Sequence, residues 1–112
     1  ILRLTRYHKS RVMKTKIKIS PGTKRELRTL GSRIREARLR RELSQSLVAE
    51  RASVSVQTVG KIENGDAGVS AGAYAMVLQA LGLLEGWGNI ADSLGDALAQ
   101  LIVCKLAPKD VS

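Results

Sequence analysis

The sequence has little of what most catalytic, metal and redox sites require. Among its 112 residues there is one cysteine, Cys104, and one histidine, His8. One residue of each type excludes a disulfide framework and leaves too few ligands for a zinc site made by the protein alone. Nor does the sequence contain a nucleophile–base pair, a glycine-rich phosphate loop or a pair of carboxylates of the kind that catalysis uses. We therefore expect no enzyme and no cofactor.

Aromatic residues and long apolar runs are also scarce. Phenylalanine is absent, and Tyr7, Tyr74 and Trp87 are too few to form the stacking platform on which RNA and single-strand modules bind bases. The longest apolar stretch, residues 71–84, is interrupted by glycine and glutamine and falls short of the roughly 18 residues of a membrane span. No signal peptide opens the sequence. These absences predict a cytoplasmic protein.

Positive charge is plentiful, and it is concentrated in one part of the chain. The net charge is +9, but residues 1–41 hold 15 lysines and arginines against two acids, whereas residues 42–112 hold four against eight. One solvated basic helix does not account for such an excess, and residues 1–20 lack the broad apolar face of a membrane-surface helix. The pattern favours a nucleic acid, and the scarcity of aromatics favours double-stranded DNA, which a helix contacts in the major groove.

The basic N-terminal arm, residues 1–22, shows no helical period. Seven basic residues and no acid lie between Arg3 and Lys18. Met13 is a candidate natural start, which leaves two interpretations of residues 1–12: native sequence, or an added or upstream segment. Thr23 and Glu26 fit a capping box, so a first helix is predicted over about residues 24–41. Its apolar face contains Leu27, Leu30, Ile34 and Ala37.

Two short helices follow, each preceded by a serine that can cap it. Ser44 precedes a helix over 45–52, Ser55 precedes a helix over 56–63, and Asn64-Gly65 ends the second. Their inward positions and the turn between them are apolar: Val48, Ala49, Ala52, Val54, Val59 and Ile62. Two short helices about three residues apart predict a helix-turn-helix unit. This arrangement leaves Gln57 and Lys61 on the outer face of its second helix.

The remaining sequence predicts further helical structure. Ser70 can cap a fourth helix over about residues 71–81, whose apolar face contains Tyr74, Val77, Leu78 and Leu81. Residues 85–94 predict a weaker fifth helix, with Trp87, Ile90, Ala91 and Leu94 on one side. Residues 97–106 are strongly apolar but mix helix-favouring with strand-favouring residues, so the type of this segment stays open.

The run from Leu43 to Gly65, LSQSLVAERASVSVQTVGKIENG, resembles the signature of the lambda-repressor-like, Cro-type (XRE) helix-turn-helix family. The flanking helices extend the resemblance to about residues 24–83. It implies an all-α fold, a compact five-helix lambda-repressor-like DNA-binding domain, in which the helix-turn-helix DNA-binding part covers 23–84. The basic arm precedes this domain, and an apolar C-terminal segment of uncertain type, residues 85–112, follows it.

Two residues depart from the family pattern. Ser53 stands where the family usually has glycine in the turn, which implies either a positive φ at some cost or a slightly different bend. Gly60 lies inside the recognition helix, where glycine costs about 1 kcal/mol. Either a base or the DNA backbone approaches closely at this position, or the position contacts nothing.

The resemblance also implies roles for individual residues. Base contacts are implied for Gln57, Lys61 and Val56, because glutamine suits adenine, lysine suits guanine and valine can meet a thymine methyl. Phosphate contacts are implied for Ser44, Gln45, Ser55, Thr58 and Asn64. Arg38 and Glu63 match the family's internal ion pair. A purely structural interpretation also exists, in which the serines are helix caps and Gln57 and Thr58 are simply solvated.

The resemblance finally suggests partners. Members of this family usually bind inverted repeats as homodimers, with half-sites about 34 Å apart, and residues 85–112 are the predicted dimerisation or partner-binding segment. Residues 69–92 are similar to HipB-like antitoxin repressors, which implies a bacterial toxin-antitoxin operon, autoregulation and a HipA-type kinase toxin as partner. Two alternatives stay open: a stand-alone phage- or plasmid-type repressor, and a protein-interaction module without DNA binding.

Overall fold

The structure, a computed structural model, describes residues 17–93 and 100–102. Its α-helices are α1 (Pro21–Arg40), α2 (Gln45–Ala52), α3 (Val56–Glu63) and α4 (Ala71–Ala80), followed by a 3-10 helix at Trp87–Asn89. Residues 100–102 of the apolar C-terminal segment are also helical. No strand occurs within the described residues, and the predicted all-α fold is confirmed. No helix in this part of the chain has both the length and the apolarity to cross a membrane.

Helix α1 begins at Pro21 rather than at residue 24, so the predicted start is wrong. The N-cap is Ser20, whose Oγ accepts a hydrogen bond from the backbone N–H of Thr23 at 3.1 Å. Thr23 is therefore already helical and does not form the capping box with Glu26. Proline is favoured at the first helical position because its φ is already helical. The N–H that proline lacks would have no partner within the helix at this position. The Ser20-Pro21 pair is therefore the start of α1.

The core consists of the residues whose spacing predicted inward positions. On α1, Ile34 and Ala37 are buried, and Leu27 and Leu30 are partly buried at the edge. The other helices contribute Val48, Ala49, Ala52, Val59, Ile62, Tyr74, Val77 and Leu78, and Leu81 follows α4. Helix α2 packs against both α3 and α4, and α1 packs against α3. The helix-turn-helix unit is thus held between α1 and α4.

Two glycines bring the backbone of α1 against the C-terminal end of α3. A Cβ atom at Gly31 would lie 2.5 Å from the carbonyl oxygen of Ile62 and 2.7 Å from that of Glu63. Gly65 has φ +74°, and a Cβ there would lie 2.6 Å from the carbonyl oxygen of Leu27. Neither position has room for a side chain, so this contact determines how α3 sits on α1. The sequence explained Gly65 as a helix end but indicated no role for Gly31.

The fifth helix is shorter than predicted. In place of an α-helix over 85–94, the structure forms the three-residue 3-10 helix Trp87–Asn89 after Gly86, whose φ is +89°. Trp87 packs against the core as expected, but Ile90 is 75% exposed. Glycines at 86 and 88 disfavour a regular α-helix here. Leu94 and most of residues 97–106 lie outside the described residues.

Candidate nucleic-acid interface

The turn between α2 and α3 consists of Ser53, Val54 and Ser55. Ser53 adopts the left-handed conformation, with φ 59° and ψ 40°, so of the two alternatives posed by the missing glycine the positive φ is the correct one. The N–H of Val54 donates to the carbonyl of Ala49 at 3.0 Å, and the Val54 side chain packs against the core. Both interactions hold α3 at a defined angle to α2, as the helix-turn-helix arrangement requires.

Replacing Ser53 by glycine is expected to stabilise the fold. A left-handed conformation costs an L-residue about 1–2 kcal/mol, and glycine avoids this cost while losing more backbone entropy on folding. Ser53 is exposed, so the substitution removes no packing. We expect Ser53→Gly to raise the free energy of unfolding by about 0.5–1 kcal/mol in urea denaturation. Ser53→Ala is the control, because it keeps the strained conformation and should not stabilise.

The outer face of α3 presents side chains that the fold does not use. Val59, Ile62 and Glu63 are buried, whereas Gln57 and Lys61 are exposed and Val56 is 43% exposed. At 100° per residue, Gln57 and Lys61 are about 40° apart on the face opposite the buried residues. Gln57 and Lys61 therefore share one accessible surface, whereas Val56 lies about 100° from Gln57 and is exposed as the first residue of the helix.

Gly60 lies next to this surface, and nothing in the fold requires glycine there. A Cβ atom at this position would have no neighbour within 4 Å, in contrast to Gly31. We expect Gly60→Ala to raise the free energy of unfolding by about 0.5–1 kcal/mol through helix propensity. Gly31→Ala should lower it by about 1–3 kcal/mol, because the new methyl group must push α1 away from α3. Thermal unfolding of the two variants measures both changes in stability, and changes of the same sign would contradict this interpretation.

The DNA affinity of Gly60→Ala is a separate measurement, which tests whether DNA approaches closely at this position.

The serines predicted to contact phosphate are helix caps in the structure. Ser44 Oγ accepts a hydrogen bond from the N–H of Leu47 at 3.0 Å, and Ser55 Oγ accepts one from the N–H of Thr58 at 3.0 Å. The hydroxyl groups of Ser55 and Thr58 are 2.9 Å apart. Both serines are exposed at a helix N-terminus, where backbone N–H groups favour anions. Capping explains the residue type, and a phosphate contact stays a prediction.

Asn64 follows α3 as its C-cap residue. Its backbone N–H is shared between the carbonyls of Gly60 and Lys61, both at 3.1 Å. The side chain is exposed and forms no hydrogen bond within the described part of the chain. It can therefore contact DNA at the end of α3.

A buried polar cluster connects α1, α2 and α3. Arg38 Nε donates to Glu63 Oε2 at 2.6 Å, and Arg38 Nη2 donates to Glu63 Oε1 at 3.1 Å. Arg38 Nη1 donates to the carbonyl oxygen of Leu43 at 2.9 Å. The hydrogen bond to Glu63 raises the pKa of Arg38, against the opposing effect of burial. The structure thus brings together the two residues that the resemblance paired.

Gln45 belongs to the same cluster, which the sequence did not indicate. Its Nε2 donates to Glu63 Oε1 at 3.0 Å, whereas the resemblance placed its side chain on a phosphate. One of its two amide N–H groups is therefore engaged inside the protein. The contact spans 18 positions along the chain, and no local pattern predicts a hydrogen bond over that separation.

The loop after α3 is attached to α4 by a tyrosine. The hydroxyl group of Tyr74 donates to the carbonyl oxygen of Asp66 at 2.8 Å. Burial raises the pKa of Tyr74 above its ordinary value of 10.0, and the charge of Asp66 raises it further. The unfolded chain consequently releases the tyrosine proton first as the pH rises. Tyr74 therefore contributes a loss of stability that begins above about pH 10.

Tyr74→Phe is expected to change both the level and the pH dependence of stability. At neutral pH the variant should lose about 1 kcal/mol, because the carbonyl of Asp66 loses its donor. Towards about pH 11 its stability should fall less steeply than that of the wild type, since no phenol remains to titrate. Urea denaturation across this range measures both effects. Parallel pH profiles would show that the buried phenol does not contribute.

Comparison with known proteins agrees with this geometry. A family model described as a helix-turn-helix domain matches residues 29–86. A search of curated proteins and a search of solved structures each found no match. The matched region covers more than half of the chain and contains α2, the turn, α3 and α4. The chain therefore belongs to the helix-turn-helix domain family, a family of DNA-binding regulators.

Proposed function

We propose that this protein is a sequence-specific, double-stranded DNA-binding transcriptional repressor. The observation that supports the proposal most is the outer face of α3, where Gln57 and Lys61 are exposed while the opposite face is buried. Val56 is exposed at the start of the same helix. A helix of this kind fits the major groove, where each base pair presents a distinct set of donors and acceptors.

In this proposal, the residues of the helix-turn-helix unit divide between bases and phosphates. Gln57, Lys61 and Val56 contact base edges. The phosphates on either side are bound at the N-termini of α2 and α3 and at the end of α3, by Ser44, Gln45, Ser55, Thr58 and Asn64. Gln45 does so with its second amide N–H, since the first donates to Glu63. Arg38 acts through Glu63 and positions α3 without contacting DNA.

We further propose that the protein binds an inverted repeat as a homodimer through residues 85–112. Large apolar side chains that remain exposed at the C-terminal end of the described chain support this: Leu83, Ile90, Leu101 and Ile102. Exposed apolar groups in such number commonly mark an interface. Sedimentation of the full chain, and of a chain that ends after Asn89 and so keeps Trp87 on the core, tests this assignment.

The biological role that we propose is that of an antitoxin in a bacterial toxin-antitoxin operon, bound to a HipA-type kinase toxin in the cytoplasm. The acidic balance of residues 42–112, in contrast to the basic residues 1–41, supports a second protein partner. A neighbouring kinase gene whose product co-purifies with the chain would support the role. If there is no such gene, a stand-alone phage- or plasmid-type repressor becomes the better assignment.

The experiment that tests DNA recognition itself is selection of preferred duplexes from a random pool. We expect a palindromic consensus, and an affinity whose logarithm falls steeply and linearly with the logarithm of salt concentration. Footprinting on the promoter of the protein's own gene, with and without the product of the adjacent gene, extends the test to autoregulation. Enrichment of no sequence at any salt concentration would contradict sequence-specific recognition, and a loss of all DNA binding would favour the alternative of a protein-interaction module.

A further inference from the structure

Basic side chains continue beyond the α2–α3 unit, along the N-terminal part of α1. Lys18, Lys24 and Arg28 are exposed, and none of them forms an ion pair within the described part of the chain. Lys24 and Arg28 are four residues apart, so they lie on the same face of α1. Because the described residues use none of these three charges, they are available to a partner.

Two observations place this part of α1 beside the C-terminal end of α3. A Cβ at Gly65 would lie 2.8 Å from the Cα of Arg28, so the chain that leaves α3 runs against the turn of α1 that bears Arg28. Ile17, just before α1, lines the same concavity as Lys61 and the loop residues Asp66, Ala67 and Gly68. The chain therefore enters α1 next to Lys61, one of the side chains proposed to contact bases.

The charge of this region is positive on balance. The loop contributes one acid, Asp66, whose Oδ1 accepts a hydrogen bond from the N–H of Gly68 at 2.6 Å. Against it stand Lys18, Lys24 and Arg28, with Lys61 at the border. Residues 1–16 precede the region directly, and they contain six lysines and arginines and no acid.

We propose that Lys18, Lys24 and Arg28 form a second phosphate-binding surface, which contacts the DNA backbone beside the bases that α3 contacts. Unpaired cations on long side chains bind phosphates without regard to sequence, and each contact releases condensed counterions. The proposal rests on the proposed function, because it takes DNA to be bound at α3. It adds a stretch of duplex that the α2–α3 unit does not reach.

Two matched double variants of the full chain test the proposal. Lys24→Gln/Arg28→Gln removes two charges from the surface, and Arg33→Gln/Arg40→Gln removes two charges from other exposed positions of α1. The second pair lies about 150° around the helix from the first. Neither pair is buried or hydrogen-bonded within the described residues, so both variants should unfold at the wild-type temperature.

Binding to the duplex selected by the wild type is measured by fluorescence anisotropy over a range of salt concentrations. For Lys24→Gln/Arg28→Gln we expect the slope of log K against log salt to become shallower by about 1.8, which corresponds to two lost phosphate contacts. Affinity should fall about tenfold or more at low salt, and the preferred sequence should not change. Arg33→Gln/Arg40→Gln should stay within about 0.5 of the wild-type slope.

Equal slopes for the two variants would overturn the second surface. If the wild type prefers its selected duplex while Lys24→Gln/Arg28→Gln keeps the wild-type slope, the second surface fails and the proposed function stands. If the wild type prefers no sequence but Lys24→Gln/Arg28→Gln still flattens the salt dependence on a duplex of random sequence, the proposed function fails and the surface stands. Hydroxyl-radical footprints add a spatial check. Lys24→Gln/Arg28→Gln should lose protection only at phosphates beside the half-site.

Discussion

Replacing Arg38 by methionine is expected to lower the free energy of unfolding by about 3–5 kcal/mol. The side chains of Arg38 and Glu63 are 9% and 4% exposed, and two hydrogen bonds join them. Methionine fills much of the space of arginine but leaves the carboxylate of Glu63 buried with Gln45 as its remaining donor. A domain of this size has a total stability of about 5–15 kcal/mol, so the loss is large. Urea denaturation measures it.

The double variant Arg38→Met/Glu63→Met is the control for this prediction. It removes both charges, and an apolar pair often replaces a buried ion pair at little cost. We expect it to recover most of the stability that Arg38→Met loses. A loss below about 1 kcal/mol for the single variant would mean that the pair behaves like an exposed one. A double variant as unstable as the single one would mean that packing, not charge, causes the loss.

Removing the side chains of Gln57 and Lys61 together is expected to lower affinity for the selected duplex by about 30-fold to 10⁴-fold. Each well-formed contact with a base edge contributes about 1–3 kcal/mol, and about 1.4 kcal/mol corresponds to a factor of ten. Both side chains are exposed, so Gln57→Ala/Lys61→Ala should keep the wild-type unfolding temperature. Affinity for a scrambled duplex should fall much less, because only one charge is lost.

The matched control removes the same two kinds of group elsewhere. Gln79→Ala/Arg33→Ala deletes one amide and one cation from exposed positions of α4 and α1. Away from the recognition face such a change should alter affinity by no more than about threefold. An equal loss for the two double variants would show that the α3 face is not special for binding.

The sequence predicted the core and the helix-turn-helix unit because their signals are local. Apolar residues spaced three and four positions apart predicted that Ile34, Val48 and Val77 face the core, and the structure buries them. Ser44 and Ser55 cap the helices that they were expected to begin. The mismatch at Ser53 likewise predicted a positive φ as one of two possibilities, since glycine is the usual residue at such a position.

Other features escaped prediction because they depend on residues far apart in the chain. Gly31 is needed where α1 meets the backbone of Ile62, and no residue near Gly31 in the sequence predicts that contact. Gln45 donates to Glu63 across the domain for the same reason. The start of α1 was predicted wrongly for a different reason. Ser20 and Thr23 can both cap a helix, and Pro21, which is favoured at the first helical position, makes Ser20 the cap.

The central claim, that the outer face of α3 contacts base edges, is tested most directly by measuring specificity one base pair at a time. Every base pair of the selected half-site is substituted in turn, and the affinities of the wild type, Gln57→Ala and Lys61→Ala are compared. We predict that each variant loses discrimination, by about 1–3 kcal/mol, at one or two adjacent base pairs, and that the affected pairs differ between the variants. A uniform loss of affinity across all positions, with the wild-type preferences intact, would contradict base contact by α3.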